Sequence, residues 1–215
     1  MNPVDPHAGA KIVTRGEPLA TAKAALILIH GRGVTAESIL ELTPAIGHPG
    51  VAYLAPEAVG NTWYPHSFLR PFEFNEPFLT SALACVDRLV EHVLAAGIPS
   101  ERLAIGGFSQ GACLTQEYAV RHPRRFGAIL GLSGGLIGPP GTTWESSPAL
   151  AGTPVFIGCS DVDDHVPLSR VNESAEVFRK AGAEVDERIY AGMAHTVNMD
   201  EAEACRAMIA DLLLA

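Results

Sequence analysis

The stretch Leu103-Ala104-Ile105-Gly106-Gly107-Phe108-Ser109-Gln110-Gly111 decides the fold. It begins as a short apolar run, which is typical of a buried β-strand, and it ends in a serine with a glycine two residues away on each side. A segment with helical spacing of apolar residues follows, so the order is strand, sharp turn and helix. The glycines allow the strand and helix backbones to approach closely, and the turn exposes the serine hydroxyl at the N-terminus of the helix. A G-x-S-x-G match alone often marks only a turn, but in this setting it predicts a nucleophile at Ser109.

Buried strands alternate with helices along the rest of the chain. Strands are predicted over residues 11–14, 25–29, 51–54, 128–132, 154–157 and 185–190, and helices over 35–42, 81–96, 110–122, 168–181 and 200–214. This alternation predicts an α/β fold in which residues 1–215 form a single domain around a mostly parallel sheet with helices on both faces. No segment after the strand at 128–132 is long enough for a separate cap domain. Ligands bind such sheets at the carboxyl ends of the strands, so the strand-end loops are where function is expected.

Composition limits the class of partner. The net charge is −9, and no cluster of Lys and Arg stands out, so neither nucleic acid nor insertion into a membrane is expected. The longest apolar run, residues 24–29, is too short to span a bilayer, and no secretory signal is visible. The cysteines are widely spaced and resemble buried hydrophobic residues in a reducing compartment, which favours the cytoplasm. No metal site and no cofactor are expected.

A serine needs a base to take its proton, and the base needs a carboxylate to orient it. His195 lies between the last strand and the last helix, whereas His165 is the nearest rival as the base. The loop after the strand at 154–157 offers three carboxylates, Asp161, Asp163 and Asp164, of which one can orient the base while the others form the turn or cap the next helix. The resulting order of Ser, Asp and His is the one found in α/β hydrolases.

Together these segments resemble the carboxylesterase/lysophospholipase group of the α/β-hydrolase superfamily, which also includes acyl-protein thioesterases. The resemblance is carried by Leu28-Ile29-His30-Gly31-Arg32-Gly33, Gly107-Phe108-Ser109-Gln110-Gly111, Leu132-Ser133-Gly134, Asp163-Asp164-His165-Val166-Pro167 and Gly192-Met193-Ala194-His195. It implies an α/β-hydrolase fold with Ser109 as nucleophile and His195 as base. It selects Asp163 as the acid, because the family places its acid four residues before the proline that is Pro167 here. It also implies an oxyanion hole formed by the backbone N–H groups of Arg32 and Gln110.

Two sets of residues are candidates for binding the substrate. Aromatic residues between 63 and 78, with Trp63, Tyr64 and Phe68 foremost, are expected to form an apolar wall, and Leu136, Ile137 and Trp144 are expected to form the opposite one. The side chain of Arg32 is a further candidate. One hypothesis is that it lies at the mouth of the pocket and favours substrates with a carboxylate, and the other is that it is exposed and only its backbone matters.

The sequence therefore predicts a serine hydrolase that cleaves small to medium carboxylic esters through an acyl-enzyme on Ser109. Its expected partner is a small-molecule ester. The resemblance also allows a homodimer, although no patch in the sequence demonstrates one. The alternatives are a thioesterase or lysophospholipase, a lactone-opening enzyme like dienelactone hydrolase, and a non-catalytic ligand-binding member of the fold. Dienelactone hydrolases usually have a cysteine as nucleophile, which Ser109 disfavours.

Overall fold

The computed structural model describes residues 5–215 and contains a sheet of seven strands. In chain order the strands are β1 (Ile12–Gly16), β2 (Ala24–Ile29), β3 (Val51–Pro56), β4 (Leu103–Phe108), β5 (Ala128–Leu132), β6 (Pro154–Ser160) and β7 (Glu184–Tyr190). Their spatial order is β1-β3-β2-β4-β5-β6-β7, and every neighbouring pair is parallel except β1 with β3. The mostly parallel sheet expected from the sequence is thus confirmed.

Helices cover both faces of this sheet. They are α1 (Ala36–Leu40), α2 (Thr43–Ile46), α3 (Phe78–Ala95), α4 (Gln110–Arg121), α5 (Leu168–Lys180) and α6 (Met199–Asp211). Alternate residues of β2 point to opposite faces: Ile27 packs in the cluster that contains α3, α4 and α5, and Leu26 packs in the cluster that contains α1, α2 and α6. Because β2 is buried on both faces, its sequence is continuously apolar.

The helix predicted over 35–42 is shorter in the structure, where α1 ends at Leu40 and a separate short helix, α2, begins at Thr43. Pro44 lies in the first turn of α2. Proline has no amide hydrogen to continue the ladder of α1, but it fits the first turn of a new helix. The segment between β5 and β6, every residue of which is described, contains only one 3-10 turn, Pro148–Leu150, so it holds no cap domain.

Close backbone contact fixes the turn between β4 and α4. A Cβ atom at Gly107 would lie 2.5 Å from the main-chain carbon of Gly111, and one at Gly111 would overlap the carbonyl group of Ile29. Larger side chains at these two positions would force α4 away from β2 and β4. The glycines therefore place the start of α4 directly beside the carboxyl end of β2.

No helix in residues 5–215 has the length and apolar character needed to cross a membrane. Cys85, Cys113, Cys159 and Cys205 are all free and buried, as the sequence predicts. Within the same described range, no group of three or more His, Cys, Asp or Glu side chains could hold a metal ion.

Candidate active site

Ser109 occupies the turn between β4 and α4 in a strained backbone conformation. Its φ and ψ angles are 56° and −120°, and a residue with a side chain rarely adopts a positive φ. The turn is held by a hydrogen bond in which the N–H of Ser109 donates to the carbonyl of Leu132 over 2.9 Å. The conformation projects the hydroxyl from the carboxyl edge of the sheet, at the N-terminus of α4.

His195 and Asp163 complete a hydrogen-bonded chain that begins at this hydroxyl. The Nε2 atom of His195 lies 2.8 Å from the Oγ of Ser109, and its Nδ1 atom lies 2.6 Å from the Oδ2 of Asp163. With an ionised carboxylate on Nδ1, the imidazole carries its proton there and leaves Nε2 free to accept the serine proton. The geometry is the one that a nucleophile, a general base and an orienting acid require.

The carboxylate of Asp163 is held as the ionised form. Its side chain is wholly inaccessible to solvent, and its Oδ1 accepts N–H groups of His165 at 2.8 Å and Val166 at 2.9 Å. Burial alone would raise the pKa of Asp163, but the hydrogen bonds from His195 and from these two main-chain groups outweigh it and place the pKa below its usual range.

The competing residues lie elsewhere. Asp161 accepts the N–H of Gly192 at 2.7 Å and so holds the turn that leads to His195, while Asp164 is exposed. His165 lines the cavity and presents its ring edge-on to His195, with ring centroids 4.7 Å apart, but it makes no hydrogen bond to Ser109. The structure therefore joins Asp163, and neither neighbouring aspartate, to His195.

Arg32 and Gln110 line the same cavity as Ser109. Neither the N–H of Arg32 nor that of Gln110 has a hydrogen-bond acceptor within residues 5–215. A Cβ atom at Gly31 would lie 3.4 Å from the Cβ of Ser109, so the loop before Arg32 approaches the serine closely. These two groups are where the sequence predicts the oxyanion hole.

A buried imidazole supports the loop that carries Arg32. The Nε2 atom of His30 accepts the N–H of Ala58 at 3.0 Å, so its Nδ1 carries the proton and donates to the carbonyl of Gly31 at 2.7 Å. Burial lowers the pKa of His30, which keeps the ring neutral and both bonds in place.

A cavity of about 740 Å³ opens at the carboxyl edge of the sheet and includes Ser109 and His195. Its lining has two apolar sides. On the side of α4 the cavity is lined by Tyr64, Phe68, Cys113 and Val166, and on the side of α1 and α6 it is lined by Ile39, Leu42, Phe108 and Val197.

Four residues expected to bind substrate, Trp63, Leu136, Ile137 and Trp144, do not line this cavity. Trp63, Leu136 and Ile137 have no solvent-accessible surface and are core residues, which corrects the prediction of a wall from residues 136–144. That loop is drawn onto the protein by buried charged side chains: Glu117 accepts the N–H of Ile137 at 2.9 Å, and Arg170 donates to the carbonyl of Leu136 at 2.7 Å. Of the predicted residues, Tyr64, Phe68 and Arg32 do line the cavity.

The wall that the sequence missed follows α1. Ile39 and Leu42 lie one turn apart after the His30-Gly31 loop, and Val197 follows His195 by two residues. Their apolar spacing is the ordinary pattern of a core-facing segment, so only their position after two strand-end motifs could have indicated a cavity wall.

A serine turn between β4 and α4, joined to a histidine and a carboxylate at later strand ends, defines the class of α/β hydrolases. The sequence model of the phospholipase/carboxylesterase family matches residues 8–213. The chain therefore belongs to this family and is a hydrolase that acts on esters.

Individual relatives agree with this assignment. The crystal structure of a phospholipase/carboxylesterase from Dyadobacter fermentans is 40% identical in sequence, covers 97% of this chain and 100% of that one, and superposes with a TM-score of 0.90. Acyl-protein thioesterase 1 of Eremothecium gossypii is 30% identical over 214 residues, which is 87% of this chain and 86% of that protein. The crystal structure of esterase PE8 shares the fold, with a TM-score of 0.77 at 21% identity over 94% of this chain and 99% of that one.

Proposed function

We propose that this chain is a serine hydrolase that cleaves carboxylic esters of small to medium size through an acyl-enzyme on Ser109. The observation that carries the proposal is the chain of hydrogen bonds from the Oγ of Ser109 to Nε2 of His195 at 2.8 Å and from Nδ1 of His195 to Asp163 at 2.6 Å.

In acylation, the Oγ of Ser109 attacks the ester carbonyl carbon while its proton passes to the Nε2 of His195. The carbonyl π electrons move onto oxygen, and the resulting oxyanion accepts the N–H groups of Arg32 and Gln110. The intermediate then collapses, the bond from carbon to the alcohol oxygen breaks, and His195 gives its proton to the departing alcohol. Asp163 stays ionised and stabilises the imidazolium.

In deacylation, water takes the place of the alcohol. His195 removes a proton from the water as the water oxygen attacks the acyl carbon, and the same two N–H groups accept the second oxyanion. Collapse breaks the bond to the Oγ of Ser109, which recovers its proton from His195. The products are a carboxylic acid and the free enzyme.

The two apolar sides of the cavity support an ester as substrate. A scissile bond at Ser109 divides the substrate into an acyl part and an alcohol part, and the Tyr64–Phe68 side and the Ile39–Leu42 side can each receive one of them. A cavity of about 740 Å³ is of the size that holds a drug-sized ligand, which fits small and medium esters.

Thioesters are the second candidate substrate class. The relative from Eremothecium gossypii is named an acyl-protein thioesterase, and the same acyl-enzyme chemistry would release a thiol in place of an alcohol. Hydrolysis of an oxygen ester and a thioester with the same acyl group compares the two classes directly.

The proposal is tested with p-nitrophenyl esters of increasing acyl length, from acetate to about octanoate. The expected result is turnover that peaks within this range and disappears in Ser109→Ala. Folded protein that hydrolyses none of these esters, nor the matched thioester, above the rate in buffer would favour a non-catalytic ligand-binding protein and refute the proposal.

A further inference from the structure

In the segment Trp63–His66, the last three residues line the cavity, and side chains from other parts of the chain bind its backbone. None of its backbone N–H or C=O groups makes a backbone–backbone hydrogen bond with any residue from 5 to 215. Because backbone polar groups need hydrogen-bond partners, the side chains that bind this segment determine how firmly it is held. Four side chains bind its backbone.

The first of them is the side chain of Gln110. Its Oε1 accepts the N–H of Trp63 at 2.9 Å, and its Nε2 donates to the carbonyl of Tyr64 at 2.9 Å. Both bonds are buried, so the amide of Gln110 pairs with the backbone of the segment from the side of α4.

The second is the side chain of Arg32. Its Nη1 donates to the carbonyl of Pro65 at 2.9 Å, and its Nη2 donates to the carbonyl of His66 at 2.7 Å. The planar guanidinium thus spans two successive carbonyl groups, and it lies 5.9 Å from the centre of the Tyr64 ring. These two bonds are exposed to solvent, whereas those of Gln110 are buried.

Two further side chains bind the segment from the core. The Nε2 of His7 lies 3.0 Å from the carbonyl oxygen of Trp63, and the Oδ1 of the buried Asn75 accepts the N–H of His66 at 2.9 Å. The segment is therefore fixed to the body of the protein on one side and to Arg32 and Gln110 on the other.

Arg32 and Gln110 are also the two residues whose main-chain N–H groups are proposed to bind the oxyanion. We propose that their side chains act as positioning residues: by clamping the same segment, they hold the two N–H groups at the separation that the oxyanion requires. This inference rests on the proposed function. The role differs from both hypotheses drawn from the sequence. The guanidinium of Arg32 binds the carbonyl groups of Pro65 and His66 and does not contact a substrate carboxylate.

The test compares Arg32→Ala, Arg32→Lys and Arg70→Ala with wild type on a neutral and an anionic ester, p-nitrophenyl butyrate and p-nitrophenyl hemisuccinate. Loss of a whole oxyanion donor lowers kcat about 10²–10³-fold, so displacement of one should lower it about tenfold. We expect Arg32→Ala to show this loss equally on both esters, with KM changed less than about twofold. Arg32→Lys should behave like Arg32→Ala, because an ammonium group lacks the fork that spans two carbonyls.

A boronic acid provides a readout of the oxyanion hole itself. Its boron accepts an electron pair from the Oγ of Ser109 and forms a tetrahedral adduct, so its affinity should fall by about the same factor as kcat. Gln110→Met removes the buried pair of bonds and should lower kcat further than Arg32→Ala does. Arg70 is the matched control: it is an exposed arginine on the loop that contains Trp63–His66, and its guanidinium lies 5.2 Å from the centre of the Phe74 ring.

Each other outcome overturns the inference in a distinguishable way. A loss confined to the anionic ester and restored by Arg32→Lys means that the guanidinium recognises substrate. Arg32 variants equal to Arg70→Ala in an active enzyme mean that the clamp positions nothing. Wild-type protein that neither hydrolyses the esters nor binds the boronic acid means that the proposed function has failed, and the inference fails with it.

Discussion

Ser109 and Ser133 end neighbouring strands of the sheet with almost the same positive φ angle and with different surroundings. Ser109 follows β4 with a φ of 56°, and Ser133 follows β5 with a φ of 51°. Each donates its N–H to the next strand, Ser109 to Leu132 at 2.9 Å and Ser133 to Gly158 at 2.8 Å. The hydroxyl of Ser109 meets His195 in the cavity, whereas that of Ser133 is buried without a partner in the described part of the chain.

The difference shows that a positive φ at a strand end does not by itself identify a reactive serine. After Ser133 the chain passes close to α4, where a Cβ atom at Gly134 would lie 2.5 Å from the Cβ of Ala112. A positive φ thus accompanies close packing against α4 at one strand end and an accessible hydroxyl at the other. The features that make Ser109 the proposed nucleophile are its histidine partner and its access to the cavity.

Removal of the two hydroxyls should give the largest contrast. Ser109→Ala is expected to lower kcat/KM by about 10⁴–10⁶-fold, because the members of such a triad act as a unit. Ser133→Ala should leave kcat/KM within about twofold of wild type, since its hydroxyl touches no reacting atom. Initial rates on one p-nitrophenyl ester measure both, and equal losses in the two variants would remove the distinction between the serines.

Asp163 and Asp164 allow the same kind of comparison for the orienting acid. Asp163→Asn should lower kcat by roughly 10³–10⁴-fold, because an amide N–H facing Nδ1 of His195 favours the tautomer that cannot accept the serine proton. Asp164→Asn is the matched control, and its activity should stay near wild type because Asp164 is exposed. A larger loss in Asp164→Asn than in Asp163→Asn would reassign the acid.

Two buried carboxylates extend the comparison to stability. Asp163 has partners on both oxygens, whereas Glu201 accepts the N–H of Asn198 at 2.8 Å through one oxygen and leaves the other without a partner in the described range. Burial raises the pKa of Glu201 from 4.5 to about 7. The folded protein therefore binds this proton more tightly than the unfolded chain does, and the stabilisation present below about pH 4.5 is lost as the pH rises through 7.

Glu201→Gln cannot ionise and keeps an acceptor for Asn198. At pH 8 its free energy of unfolding should exceed that of wild type by up to about 3 kcal/mol, and the gain should shrink toward pH 5. The exposed Glu203→Gln on the same helix is the control and should change stability little. Urea denaturation at both pH values measures the difference, and a gain that is the same at pH 5 and pH 8 would contradict the assigned titration.

The smallest effect is expected in the stability of Ser133→Ala. Loss of a buried hydroxyl that has no partner should leave the free energy of unfolding unchanged or raise it by about 1 kcal/mol. Ser174→Ala is the matched variant, because it removes a buried hydroxyl that accepts the N–H of Leu136 at 2.9 Å. It should destabilise the protein by about 1–3 kcal/mol. Equal destabilisation of the two variants in urea would show that Ser133 has a partner after all.

Much of the fold was predictable because its signals are local. The continuous apolar runs of β2, β4 and β5 and the glycines around Ser109 require few long-range contacts to interpret. The histidine and the acid could be proposed because parallel strands bring their carboxyl ends to one edge.

The walls of the cavity were less predictable, because they depend on partners far apart in sequence. Leu136 and Ile137 have the apolar character of a binding wall, but Glu117 and Arg170 draw their loop into the core. The clamp by Arg32 likewise joins residues that lie 33 and 34 positions apart. No local pattern encodes which carbonyl groups a guanidinium will meet.

The most direct test of Ser109 as the nucleophile is labelling with a fluorophosphonate, followed by mass spectrometry of the peptides. The account predicts a single phosphonylated site at Ser109, loss of labelling in Ser109→Ala, and no adduct at Ser133 in either protein. An adduct at another residue, or full labelling of Ser109→Ala, would contradict it.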